Sequence, residues 1–281
     1  MTVASLRVSS NWLDLREGAD AAARARELVG QLRPHLPAGG ALVIHDLACG
    51  TGAMGRWLAP RLPGRQHWVM HDRDAALLEV AASHPPRAAD NAPVGVETRC
   101  TDITRLDAGD LAGASLVTAS ALLDLLTLEE LQRLVDLCTA AGCPALLTLS
   151  VVGHVELTPA DPLDVRVGAA FDDHQRRMTT GGRLLGPDAV AAAVQAFRRA
   201  GHAVLVRPSP WRLAASQAAL AEEWFRGWVD AAGAQEPELA AGAELYARRR
   251  LATARAGRLV VRVGHADLLA LPTAQSGWRS T

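Results

Sequence analysis

Residues 41–55 read ALVIHDLACGTGAMG, and no other stretch limits the fold as tightly. Ala41 to Ile44 is an apolar run that predicts a buried strand. An acid, Asp46, stands where that strand should end, and glycines follow at Gly50, Gly52 and Gly55 before a helical pattern begins at Arg56. Strand, glycine turn and helix start together make a nucleotide cradle. Glycine permits the tight turn and a close approach of backbone to ligand, and the first turn of a helix offers unpaired N–H groups.

The same rhythm recurs down the chain. Residues 66–71 predict a second strand, ending in Asp72-Arg73-Asp74 and followed by a helix over 74–83. A loop with three prolines spans 84–93, a third strand spans 94–100 and ends in Thr101-Asp102-Ile103, and a fourth spans 114–119 and ends at Ser120. Thr127 and Glu130 form a capping-box pattern opening a helix to residue 141, and a fifth strand spans 144–152. Alternation of this kind predicts an α/β fold with a doubly wound, mostly parallel sheet. Ligands then bind at the carboxyl ends of the strands, where Asp46, Asp72, Asp102 and Ser120 fall. An acid at the end of the second strand suits both ribose hydroxyls of an adenosine ligand.

Asp46-Leu47-Ala48-Cys49-Gly50-Thr51-Gly52 resembles the first motif of class I S-adenosylmethionine-dependent methyltransferases, and the landmarks at Asp72, Asp102 and Ser120 extend the resemblance over residues 42–151. Ala48 departs from the pattern, which most often has glycine there. The resemblance implies a seven-stranded sheet with its last strand antiparallel, and S-adenosyl-L-methionine as cofactor. It implies cofactor contacts from Asp46, Ala48, Gly50, Gly52, Asp72, Arg73 and Ser120, with Asp102 taking the adenine amino group and the Ile103 backbone a ring nitrogen. Two rivals remain. Gly50 to Gly55 matches G-x-G-x-x-G literally, as in an NAD(P)-dependent oxidoreductase, which would have no use for Asp46 and Asp102. A non-catalytic partner protein that binds S-adenosylmethionine would keep the cradle and turn nothing over.

The whole chain, 1–281, reads as one domain. Residues 1–40 form a helical cap with a helix over 14–36, in which Trp12, Arg16, Asp20 and Arg24 are candidates to close over the cofactor. Arg16 suits the carboxylate of the cofactor's amino-acid end, because guanidinium binds carboxylate in bidentate fashion. Residues 41–152 form the cofactor-binding core. Residues 153–186 are polar and irregular and read as a lid or substrate loop, where His154 and His174 are the candidate general bases. Residues 187–272 form the C-terminal half: a helix to 200, a strand over 202–207, an inserted pair of helices over 212–256 and a closing strand over 258–264. The tail after Pro272 reads as loose.

Net charge is −1, and all 29 basic residues are arginine, balanced by 30 acids. A nucleic-acid partner is therefore not expected, and a small-molecule acceptor is. Cys49, Cys100, Cys138 and Cys143 show no C-x-x-C spacing, so no metal is expected. The start lacks the order of a signal peptide, and no apolar run approaches about 18 residues, so a cytoplasmic protein without a membrane partner is expected. The aromatics Trp211, Trp224, Phe225, Trp228 and Tyr246 read first as core packing and, alternatively, as a homodimer interface or a wall of the substrate pocket.

Overall fold

A computed structural model of the protein describes residues 8–90 and 92–273; the tail beyond 273 lies outside them. Helix α1 (Ser10–Ala23) opens on Ser9, whose side chain accepts from the Trp12 N–H. Helix α2 (Arg26–Leu32) follows after a break. The periodicity predicts one helix here. The chain turns instead at Arg24, which leaves the helical region, and the Ala25 N–H donates to Asp267 at 2.7 Å.

From there β1 (Leu42–Leu47), α3 (Ala53–Leu58), β2 (Gln66–Asp72), α4 (Ala75–Ser83), β3 (Val94–Cys100), β4 (Leu116–Ser120), α5 (Leu128–Ala141) and β5 (Ala145–Thr158) keep to the expected alternation. The capping box of α5 forms: Thr127 Oγ1 accepts from the Glu130 N–H, and Glu130 Oε2 accepts from the Thr127 N–H. The second part of the chain holds α6 (Asp164–Gln175), β6 (Met178–Thr179), β7 (Gly182–Arg183), α7 (Ala189–Arg199), β8 (His202–Pro208), β9 (Trp211–Leu213), α8 (Ala218–Gln235), α9 (Ala240–Arg255) and β10 (Val260–Pro272).

The sheet runs β3-β2-β1-β4-β5-β10-β8. The neighbours from β3 to β5 are parallel, and β10 runs antiparallel to both β5 and β8. The short β9 pairs with the first part of β10. This is the expected mostly parallel seven-stranded sheet with one antiparallel strand, plus a small flanking strand.

Two elements outrun their sequence signals. β5 continues to Thr158 and β10 to Pro272, because Val260 to Val263 pair with residues 155–158 and Leu268 to Ala270 with residues 145–147. Gly153 and Gly264 read as strand ends. In the structure they sit where the two strands bulge past each other, and a Cβ on Gly264 would stand 3.0 Å from the His154 carbonyl. Residues 159–186, expected to be irregular, contain helix α6 and the β6–β7 hairpin. The Tyr246 hydroxyl donates to Asp164 at 2.7 Å, and Arg250 pairs with the same carboxylate, which fastens α6 to α9.

Apolar side chains fill both faces of the sheet. Leu131, Val135 and Phe197 pack one face under α5 and α7, and Leu28, Trp57, Leu58 and Trp68 pack the other under α2, α3 and α4. A third cluster around Phe225, Trp228 and Tyr246 joins α8 and α9 to β9 and β10. Each such side chain contributes roughly 2 kcal/mol by leaving water. Among the described residues no helix is long and apolar enough to cross a membrane.

Candidate cofactor and acceptor site

The carboxyl ends of the parallel strands open into a cavity of about 680 Å³, within the size range of small-ligand sites. One half is built by the ends of β1, β2 and β3 and the turns that leave them. The register of β1 against β4 sets Asp46 opposite Thr118, and Thr118 Oγ1 donates to Asp46 Oδ1 at 2.8 Å. The other carboxylate oxygen, Oδ2, is buried without a hydrogen-bond partner among the described residues. Burial pushes the Asp46 carboxyl up to about 7. Beyond it the chain turns through Ala48 and Gly50, both at positive φ, 52° and 55°. Left-handed backbone is strained for any residue with a Cβ, which is why glycine suits position 48 and why alanine carries a cost of about 1 kcal/mol there. A Cβ on Gly50 would lie 3.0 Å from Leu13 Cδ1 on α1.

Asp72 ends β2 and accepts from the Gly50 N–H at 2.8 Å and the Asp74 N–H at 3.0 Å. It thereby ties the glycine turn to the start of α4, where the Asp74 side chain accepts from the Ala76 N–H. Asp102, past the end of β3, uses Oδ1 alone to hold Thr104, through its N–H at 3.0 Å and its hydroxyl at 2.8 Å. Ile103 lies beside it on the cavity wall.

Above this half sit the arginines of the N-terminal helices. Arg24 is 3% exposed. Its Nη2 donates to Ser120 Oγ at 3.1 Å, its Nε to Thr148 Oγ1 at 3.4 Å, and its Nη1 has no hydrogen-bond partner among the described residues. Arg16 is held in bidentate fashion by Asp20, at 2.9 and 3.2 Å, and lies over the Trp211 ring at 4.8 Å. Asp20 also accepts from Trp211 Nε1 at 2.9 Å.

The other half is built from distant segments. Leu149 and Val151 come from β5, Val263 and His265 from β10, Trp211 from β9 and Trp224 from α8. Phe171 and Gln175 come from α6, and Asp124 from the turn after β4. His265 Nδ1 lies 3.1 Å from the Val263 carbonyl, to which it donates, so Nε2 is left as a bare acceptor. Burial, with Arg16 nearby, drives its pKa down to about 3 and keeps the ring neutral. Burial pushes Asp124 up to about 6.

Residues 44–142, from β1 to the end of α5, match the model of a family described as a methyltransferase domain. Over those residues the chain matches a methyltransferase domain, for which the sequence resemblance implies S-adenosylmethionine as cofactor. No curated protein matches this sequence. Among solved structures it is similar to the YcgJ protein of Bacillus subtilis, at 12% identity over 89% of this chain and 100% of that one, with a TM-score of 0.48. It is also similar to the mycolic acid cyclopropane synthase CmaA1 in complex with S-adenosylhomocysteine, at 13% identity over 86% and 83%, with a TM-score of 0.46. The cyclopropane synthase MmaA2 from Mycobacterium tuberculosis stands at 13% over 87% and 83%, with a TM-score of 0.45. Likenesses at this level say nothing of what this methyltransferase acts on.

The residues present fit the cofactor. Its amino-acid end carries an ammonium and a carboxylate, and the orphaned buried atoms near the glycine turn are one acceptor, Asp46 Oδ2, one donor, Arg24 Nη1, and the Thr51 hydroxyl, which is both. Of the cofactor-binding residues expected from the sequence, Arg16, Asp46, Ala48, Gly50, Asp72, Arg73, Asp102, Ile103 and Ser120 all line the cavity. Gly52 stands behind the wall: its φ of 82° turns the chain into α3, and a Cβ there would meet Ala81 at 3.3 Å. The two expected bases are not brought to the site. His154 is exposed on the extended β5, with Nε2 2.8 Å from Glu156. His174 is on α6, whose neighbours Phe171 and Gln175 line the cavity while it does not. His265 and Asp124 are the titratable groups on that side. Asp124 carries no sequence signal beyond its place in the fourth-strand turn, and His265 lies past the expected end of the last strand.

Proposed function

We propose that the protein transfers the methyl group of S-adenosylmethionine to a small-molecule acceptor held between α6, α8 and the ends of β5 and β10. The observation that carries this reading is the continuous cavity, with a glycine-turn half and an aromatic half under one roof. In the first half, Asp72 takes the ribose hydroxyls, Asp102 the adenine amino group and the Ile103 backbone a ring nitrogen. Asp46, Thr51 and Arg24 hold the amino-acid end. Arg16 is already bound to Asp20, so we assign the carboxylate to Arg24 first. When bound, the cofactor supplies an electrophilic methyl group on a sulfonium. The protein then has to hold the acceptor in line and exclude water. Trp12, Trp211 and Trp224 line the cavity with apolar surface.

The literal G-x-G-x-x-G reading leaves Asp102 and the Asp46–Thr118 pair without a use. The test is calorimetric titration with S-adenosylhomocysteine and, separately, with NAD and NADP. Binding of the first alone at about micromolar Kd is expected. Binding of a nicotinamide cofactor alone would overturn the reading.

A further inference from the structure

The acceptor half has a consistent polarity. Asp124 lines the cavity, its Oδ1 is buried without a hydrogen-bond partner, and no side chain among the described residues donates to it. Gln175 Oε1, on the same wall, is also buried without a partner. His265 spends its N–H on the Val263 carbonyl. The Asp124 and Gln175 oxygens and the free His265 nitrogen are all acceptors, with the Gln175 amide NH2 as a donor beside them. The cations that face Asp124 are Arg16 from α1 and Arg177 after α6. Arg16 is bound to Asp20, and Arg177 donates to the His174 carbonyl at 3.0 Å. Neither closes on Asp124, and neither leaves a built cradle for an anion. A buried carboxylate oxygen without a partner is destabilising, and a ligand bearing N–H donors would relieve that cost.

Flat apolar walls accompany this polarity. The chain has only seven tryptophans, three phenylalanines and one tyrosine, and Trp12, Trp211, Trp224 and Phe171 all line this one cavity. Trp211 stands 5.2 Å from His265 and 6.3 Å from Trp12, ring centre to ring centre. Aromatic walls of this kind favour planar bodies and cations.

We infer that the acceptor belongs to the arylalkylamines, its ring against Trp211 and Trp224 and its nitrogen on Asp124 and Gln175. This rests on reading the cavity as an S-adenosylmethionine site, and the two can fail separately. Asp124 is a binding residue here, not one assigned to the chemistry.

The test is a titration of the protein saturated with S-adenosylhomocysteine. Three probes share one ring: tryptamine, indole-3-propionate and 3-ethylindole. Tryptamine is expected to bind about tenfold tighter than either of the others, the worth of one charge-assisted hydrogen bond. Asp124→Asn should erase that preference while S-adenosylhomocysteine affinity stays within about twofold. Trp224→Ala should weaken tryptamine and 3-ethylindole alike. Equal or tighter binding of the propionate overturns the inference, as does no tryptamine binding at millimolar concentration or an unchanged preference in Asp124→Asn. The three-probe comparison needs only the wild-type chain, so it stands even if a variant misfolds. Failure of S-adenosylhomocysteine itself to bind would instead sink the cofactor reading.

Discussion

The two halves of the cavity are assembled in different ways. The glycine-turn half comes from consecutive strand–turn units, with Asp46, Gly50, Asp72 and Asp102 each placed at the end of a strand or just past it. The aromatic half gathers single residues from β5, α6, β9, α8 and β10. In the first half backbone geometry positions the groups: positive φ at Ala48 and Gly50, and N–H groups held on Asp72. In the second half packing between remote elements does so. A cofactor site can therefore be specified locally, while the acceptor site depends on how the last third of the chain folds back over the sheet.

The junction between the halves offers the largest way to break that contrast. Asp267 on β10 is 1% exposed and accepts from the Ala25 N–H, the Leu149 N–H and the Ser209 hydroxyl. Asp267→Ala strands three buried donors and should cost about 3 kcal/mol of stability in urea unfolding. A loss under about 1 kcal/mol would mean that the two halves are held together by apolar packing alone.

A smaller effect is expected within the glycine-turn half. Asp72→Ala should weaken S-adenosylhomocysteine by about 1–3 kcal/mol, through lost ribose hydrogen bonds and a loosened Gly50 turn. Unchanged affinity by calorimetry would remove Asp72 from the site.

The smallest effect is a pH dependence. Asp46 has its pKa raised to about 7 by burial, so it is neutral below that and charged above. If its free oxygen takes the cofactor's ammonium, S-adenosylhomocysteine affinity rises from pH 6 to pH 8 by severalfold, less than about tenfold. Asp46→Asn should flatten that rise. Stability runs the opposite way. The folded pKa lies above the unfolded value of 3.8, so this group's contribution falls as pH rises from about 4 through 7. His45 and His71, both lowered to about 4, add stability as pH rises from about 4 to 6.5. A wild-type affinity profile that is flat between pH 6 and 8 would place the ammonium elsewhere.

The glycine-turn half was legible because its signals are local. An acid after an apolar run, then alternating glycines, leaves the backbone few options. The seven strands and the antiparallel last strand came from the family resemblance, and the structure has both; the order of the strands was not read. The aromatic half was much less so. His265 lay beyond Gly264, read as a strand end, when that glycine is a bulge in a strand that runs on to Pro272. Asp124 sits in a leucine-rich turn that gives no hint of facing a cavity. His154 and His174 drew attention because they fall in the polar segment after the expected end of the fifth strand. β5 carries the first past the rim and on to an ion pair with Glu156, and the helical phase of α6 leaves the second off the wall. Trp211 and Trp224 read as core ahead of pocket wall, and the structure has them as both.

The Ala25–Asp267 hydrogen bond joins positions 242 residues apart, and Asp20 reaches Trp211 across 191. Both partners of the N-terminal helices therefore leave the ribosome long after the helices do. A nascent chain that holds β1 to β4 and the glycine turn can already fasten part of its roof, through Arg56–Glu17, Trp57–Ala21 and Arg24–Ser120, and gains these two contacts only later. The Asp20 and Ala25 fastenings wait for β9 and β10, so among the described residues the strand latest in the chain completes an enclosure begun by α1.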